Sequence, residues 1–497
     1  MKKVVLLYPE KIGKIAPELY GHFAEHIGGV VYDGIWVGKN SDIPNIHGFR
    51  KELVEKLRAI HPAVIRWPGG CFAEAYHWYD GVGENRPVRP SWWTSRNCGR
   101  TESNAVGTHE FVEFCELVGA KPYFAVGVTA TTPMEARDWM DYCLSPRGST
   151  TLALQREKNG HPEPFDIPYW GIGNENWGEG GNMTPESYAM EYRRFAMVME
   201  NLVKSDPRYH FFAGGADSRR YEWTRGLLGT LAGSLATMQG MSVHFYCNNS
   251  KTPLEYTPDE WYLTLNRGAV MEDLICRHYA IAQGYCMEDR AKLVIDEWGC
   301  WYTDGDTGPS KGYNLYEQQC TMRDAVYAGM TLNIFNNHCE KVQMANIAQL
   351  CNNISSLFLA GGEHCITTPI YHVFDLYQKH QNGTAIRVLT ENNEEMKNRV
   401  SVSASEKDGI LTLTLVNCSC ETEQAVDLQL LGADWDSRAT GQLLSSCDLH
   451  NYNSFEHPDV IKPVSGIWDV SRPIPLPAGS VMSLQIRLNT PTNLEKT

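Results

Sequence analysis

The sequence predicts an α/β fold: a (β/α)8 TIM barrel followed by an all-β domain, a jelly-roll β-sandwich. Three observations predict it. From about residue 15 to 382, short apolar runs alternate with amphipathic segments, the pattern of strand–helix units on a parallel sheet. From 383 to 497 the pattern becomes strict period-two alternation, the mark of half-buried strands. The length of 497 residues suits a barrel plus a smaller β-domain.

Eight barrel strands are expected, at Leu19–Phe23, Ala63–Trp67, Pro122–Val126, Tyr169–Gly173, Phe211–Gly214, Ser242–Tyr246, Lys292–Ile295 and Thr331–Phe335. Helices fit between them. Phe49, Leu53, Val54, Leu57 and Ile60 share one helical face. Thr108 is the expected N-cap of a helix that closes at Gly119. In the second domain, Leu411-Thr-Leu-Thr-Leu415, Val426-Asp-Leu-Gln-Leu430 and Leu484-Gln-Ile-Arg-Leu488 alternate strictly. Val4–Leu7 precedes the barrel, and residues 1–14 are expected to lend that domain one more strand.

Composition narrows the function. The net charge of −15 argues against nucleic acid and anionic membrane surfaces as partners. The 15 cysteines are scattered without zinc-ligand spacing, which fits free thiols in a reducing cytosol. The N-terminal apolar run is shorter than a secretory core, and no stretch approaches transmembrane length. A cytoplasmic protein acting on an uncharged ligand is the expectation.

The chemistry concentrates in two segments. Trp170-Gly-Ile-Gly-Asn-Glu-Asn-Trp177 and Val294-Ile-Asp-Glu-Trp298 each read as a buried strand ending on a glutamate. A carboxylate at the end of a buried strand is costly unless it has a task or a partner. By count, Glu175 ends strand four and Glu297 ends strand seven, on the face where such barrels carry their active sites. Two carboxylates there suit glycosidic cleavage, with one as proton donor and the other as nucleophile or base. Ion pairing or helix capping is the structural alternative.

Other strand-end groups are expected on the same face. Asn174 could bond a sugar hydroxyl, and Tyr246 could orient a carboxylate. Glu25 lies near the rim. Arg66 could hold a carboxylate ionised. Gly69-Gly70 permits close backbone approach or a tight turn. Cys71 has no evident activating histidine. His26, His77 and His244 match no metal motif, and no glycine-rich stretch matches a nucleotide fingerprint. No metal and no cofactor are expected.

Together these segments resemble family 51 glycoside hydrolases, the α-L-arabinofuranosidases. The resemblance rests on Tyr20-Gly-His-Phe-Ala-Glu-His26, Arg66-Trp-Pro-Gly-Gly-Cys-Phe72, Gly173-Asn-Glu-Asn-Trp-Gly178, Asp296-Glu-Trp-Gly299 and Met344-Ala-Asn-Ile-Ala-Gln-Leu350. It implies an exo-acting, retaining hydrolase of terminal arabinofuranosyl groups on arabino- or arabinoxylo-oligosaccharides. Glu175 would be the acid/base and Glu297 the nucleophile. Glu25, Cys71, Asn174, Tyr246, Gln349 and Trp298 would bind substrate, with Arg66 and His244 supporting. It further implies a homo-oligomer, commonly a hexamer. Glu179 departs from the family pattern of a small or cysteine residue, and a third carboxylate there would raise the acid/base pKa. Subsite preference would depend on the loops after Pro90 and Trp301. An endo-acting β-glucanase or xylanase of the same clan, or a silent sugar-binding protein, are the competing readings.

Overall fold

The computed structural model describes residues 1–93, 100–204, 206–248, 252–390 and 395–489. Eight parallel strands close into a barrel. They are β1 Gly21–Phe23, β2 Val64–Trp67, β3 Lys121–Val126, β4 Tyr169–Ile172, β5 His210–Asp217, β6 Gly240–Cys247, β7 Leu293–Cys300 and β8 Val342–Ala348. Val64, Tyr123, Phe212, Val294 and Met344 fill the interior as one apolar cluster, so the barrel is a packed core. A second sheet of nine strands holds the C-terminal residues. The N-terminal strand Lys2–Lys14 joins it, antiparallel to Thr384–Thr390 and parallel to Gln424–Leu431. Residues from both ends of this sheet share one apolar core.

Seven expected barrel strands overlap observed ones, although β7 runs past its expected end at Ile295, through Glu297, to Cys300. The eighth does not. Thr331–Phe335 lies within the helix Met322–Asn337, and β8 follows it at Val342–Ala348. Met322 to Asn336 are all buried, because the helix is wedged between the barrel and the second sheet. Asn333 donates to Ser401 and Asn336 to Ser403 across that junction. A helix buried on every side loses its polar stripe, and a β-branched apolar piece of it reads as a strand.

A second difference is at Thr108. The N-cap is Gly107, whose N–H donates to Glu110, and Thr108 is the first helical residue. Thr108 Oγ1 instead accepts from Trp139 Nε1 at 3.0 Å. Gly119 does close the helix, with φ of +81°.

One irregularity bears directly on the site. Between Val294 and Glu297, β7 spends three residues where β6 spends two, from Ser242 to His244. This β-bulge breaks the alternation of the strand. Asp296 and Glu297 therefore both face the barrel interior, and Trp298 faces out.

Candidate active site

The two glutamates converge at the C-terminal mouth of the barrel. Glu175 follows β4 with φ of +44°, a left-handed conformation that is uncommon for a side chain without local polar support. Glu297 sits in β7 and is 6% exposed. One carboxylate oxygen of each lies within 4.8 Å of the other and of a ring nitrogen of His244. Oxygens that close suit the ~5 Å carboxyl separation of retaining enzymes better than the ~6.5–9.5 Å of inverting ones.

Glu297 is pinned at both oxygens. Arg66 donates to Oε1 at 2.7 Å, and the Tyr246 hydroxyl donates to Oε2 at 2.7 Å. His244 Nδ1 stands 3.6 Å from Oε2. Burial opposes the charge of Glu297, but His244, Arg66 and Tyr246 outweigh it and hold its pKa below the usual carboxylate range. Glu175 goes the other way. Burial raises its pKa, Glu297 and Asp217 add to the rise, and a 2.9 Å bond from His244 only partly offsets it. His244 answers to both carboxylates. Burial disfavours its charge, yet Glu297 and Glu175 push its pKa up to about 9, which favours the imidazolium. Two carboxylates with pKa values driven apart can serve as an acid and a nucleophile.

The remaining groups form the floor and rim. Arg66 also donates to Asn174 Oδ1 at 2.7 Å, and its Nε is 3.8 Å from Asp296. Glu25 accepts from the N–H groups of Gly70 and Phe72, both at 3.0 Å, and from Gln349 Nε2 at 3.1 Å. Burial and the nearby Glu297 push its pKa up to about 7. Gly70 and Gly69 have a steric reason to be glycine. A Cβ on Gly70 would lie 2.7 Å from Glu297 Oε1, and one on Gly69 would lie 2.6 Å from Glu25 Cγ. Cys71 Sγ is 4.0 Å from Glu175 Oε2 and 3.8 Å from Asn174 Nδ2. Burial and four surrounding carboxylates drive the thiol pKa far up, which leaves Cys71 a neutral neighbour, not a nucleophile.

Nine of the ten expected site residues are thus brought together. Trp298 is not. It is fully buried against Phe335, Phe374 and Tyr327 on the helix side of the barrel. Beyond the bulge it points away from Glu297, and the aromatic that reaches the mouth is Trp301, edge-on to Tyr246 at 5.4 Å. The expected influence of Glu179 is also redirected. Glu179 is exposed and acts on the Cys71 thiol, while Glu297 and Asp217 are the carboxylates that raise Glu175. In the loop after Pro90, residues 94–99 lie outside the described residues.

By distance alone Glu175, His244 and Glu297 could surround a cation. Arg66 and the imidazolium already supply positive charge there, so the trio reads as an acid–base set. Sequence reasoning missed Glu74 and Asp217, and it named Trp301 only as the start of a loop that sets subsite preference. Only Trp301 carried a signal, as an aromatic just past the Glu297 segment.

Comparison with known proteins finds similar family models, sequences and structures. Residues 56–261 match the family model described as alpha-L-arabinofuranosidase 1 domain, and 296–475 match the alpha-L-arabinofuranosidase C-terminal domain. An intracellular exo-alpha-L-arabinofuranosidase of Bacteroides ovatus is 37% identical over 95% of this chain and 93% of its own. A probable alpha-L-arabinofuranosidase C of Aspergillus fumigatus is 32% identical over 88% of this chain and 89% of its own. The crystal structure of a GH51 arabinofuranosidase from Xanthomonas axonopodis pv. citri superposes with a TM-score of 0.89 at 34% identity, covering 98% of this chain and 100% of that one. An arabinose complex of alpha-L-arabinofuranosidase from Thermotoga maritima gives 0.86 at 27% identity, with the same coverage.

Proposed function

The chain belongs to the α-L-arabinofuranosidases of glycoside hydrolase family 51, and on that premise we propose a two-step, retaining hydrolysis carried by Glu297 and Glu175. The protein is an exo-acting glycoside hydrolase that removes terminal α-L-arabinofuranosyl groups. Short arabino- and arabinoxylo-oligosaccharides are its proposed substrates.

In the first step a carboxylate oxygen of Glu297 bonds to the anomeric carbon. The glycosidic C–O bond breaks, its electron pair leaves with the aglycone oxygen, and the proton of Glu175 goes to that oxygen. Esterified Glu297 no longer carries charge. The repulsion that helped Glu175 keep its proton then disappears, while the bond from His244 remains. Glu175 is therefore a carboxylate when water arrives. It takes the water proton as the water oxygen attacks the anomeric carbon and releases Glu297. The proton balance closes on one molecule of water.

The observation that carries this reading is the opposed pair of pKa directions at carboxylates within 4.8 Å. Around the furanose, Glu25, Cys71, Asn174, Tyr246 and Gln349 are the proposed binding groups, with Arg66 and His244 holding the charges. The proposed catalytic unit is residues 15–382, with 383–497 and the N-terminal strand as the second. A cytoplasmic location is supported by free thiols at the described cysteines and by the intracellular relative. No described helix is long and apolar enough to cross a membrane. Assembly as a homo-oligomer, a hexamer by resemblance, belongs to the same proposal.

Release of 4-nitrophenol from its α-L-arabinofuranoside tests the assignment. Wild type is expected to turn over, and Glu297→Ala to lose several orders of magnitude in kcat/KM. Full activity in the variant would remove Glu297 from the nucleophile role.

A further inference from the structure

Glu74 is 1% exposed, and among the described residues no ion pair reaches it. It lies in the short turn Cys71–Ala75 that follows β2. Four N–H groups converge on its carboxylate. Oε1 accepts from the backbone N of Asn174 at 2.7 Å and from Asn176 Nδ2 at 3.0 Å. Oε2 accepts from the backbone N of Val128 and of Thr129, both at 2.8 Å. All four partners can only donate here, so the group that satisfies them is the ionised carboxylate. Burial raises the pKa of Glu74 above the usual carboxylate value, and the four donors offset part of that rise.

These four bonds tie the ends of β2, β3 and β4 together around one atom pair. Two of them flank Glu175, one on the residue before it and one on the residue after it. Glu175 itself holds the left-handed backbone conformation noted above. Its carbonyl accepts from Gly178 at 2.7 Å and Gly180 at 3.2 Å, and Asn176 also donates to the Gly180 carbonyl at 2.7 Å. Gly180 packs so tightly that a Cβ there would lie 1.8 Å from the Asn174 carbonyl oxygen. The backbone on either side of Glu175 is thus clamped, and the Glu74 carboxylate is the hub of the clamp.

We propose that Glu74 is a positioning residue for the acid/base step: it fixes the backbone before Glu175 and the Asn176 side chain after it, so that the Glu175 carboxyl meets the leaving oxygen. This rests on the reading of Glu175 as proton donor. The hydrogen bonds of Glu74 go to Asn174, Asn176, Val128 and Thr129 and not to Glu175, and its effect is expected only where that proton transfer limits the rate.

Leaving-group dependence separates this role from mere stabilisation. In Glu74→Gln, the carboxamide must turn its NH2 towards one donor pair or the other, and so it releases Asn174 and Asn176 or Val128 and Thr129. An aglycone that needs protonation then suffers, and one that departs as a stable anion does not. The experiment compares kcat/KM for a methyl or xylobiosyl α-L-arabinofuranoside with that for the 2,4-dinitrophenyl glycoside. For Glu74→Gln the expected loss is about 100-fold on the first kind and no more than about 3-fold on the second. Glu175→Ala, run beside it, gives the full dependence. If Glu175→Ala shows no added dependence, the proton-donor reading itself fails. If Glu175→Ala shows it and Glu74→Gln loses all substrates equally, or none, the positioning role is overturned. Should Glu74→Gln not fold, Asn176→Ala removes one of the four donors and is read the same way. A steeper dependence supports the clamp, and an unchanged one contradicts it.

Discussion

His244 places Nδ1 2.9 Å from Oε1 of Glu175, and in the proposed mechanism this contact joins the two halves of the reaction. The same nitrogen is 3.6 Å from Glu297. One buried cation thereby moderates a carboxyl that must keep its proton and supports a carboxylate that must not take one.

Removing that cation should move both limbs of the pH profile. The acid limb of kcat/KM reports ionisation of Glu297, and the basic limb reports loss of the Glu175 proton. His244 lowers both pKa values. In His244→Gln both limbs are expected to shift to higher pH, with kcat/KM at neutral pH down about 10- to 100-fold. An acid limb that stays in place would show that Arg66 and Tyr246 alone hold Glu297 ionised.

Gly70→Ala is expected to disable the enzyme without unfolding it. The added methyl would lie 2.7 Å from Glu297 Oε1 and 3.1 Å from the Asn174 amide. Glu297 cannot swing aside, because Arg66 and Tyr246 pin both oxygens. A loss of about 100-fold in kcat/KM with a nearly unchanged melting curve is expected. A fully active variant would mean that the two glutamates have room to spare.

Glu25 predicts a stability effect with a defined sign. Its folded pKa is pushed up to about 7, above an unfolded value of about 4.3. Between those values the folded chain keeps a proton that the unfolded chain has released, so stability falls as pH rises through the window. Glu25→Gln mimics the protonated form. Its melting temperature relative to wild type should climb from about pH 4.5 to about pH 7 and level off above. A difference that is flat with pH would contradict the assignment. Activity is expected to fall at every pH, since Glu25 faces the proposed furanose site.

The two tryptophans past Glu297 should separate cleanly. Trp298→Ala opens a cavity against Phe335 and Phe374 and should cost about 3–5 kcal/mol of stability. Trp301→Ala should leave the melting curve near wild type and raise KM for oligosaccharides by about 10-fold, through loss of an aromatic wall beside Tyr246. Kinetics and calorimetry on both variants decide it. A large KM change from Trp298→Ala with no stability loss would reverse the two roles.

Much of this site was legible because strand ends announce themselves. Glu175 and Glu297 each terminate an apolar run, and counting strands put both at one mouth. The failures have physical causes. The helix at Met322–Asn337 is buried all round, so no periodicity marked it. Trp298 was misassigned because a bulge at Asp296-Glu297 resets the alternation, and a bulge has no composition signature. Glu74 went unnoticed because its importance lies in four N–H groups from two other loops. Asp217 ends β5 and acts on Glu175 only through space, which no local pattern records.

The most direct test of the account is the covalent intermediate. Glu175→Ala retains Glu297 as nucleophile but lacks the base for the second step. With 4-nitrophenyl α-L-arabinofuranoside, whose leaving group needs little protonation, this variant should accumulate a glycosyl-enzyme. Intact mass should rise by one anhydropentosyl unit, and peptide mapping should locate it on Glu297. An adduct on another residue, or none alongside an inverted product, would contradict the retaining mechanism and the assignment of Glu297.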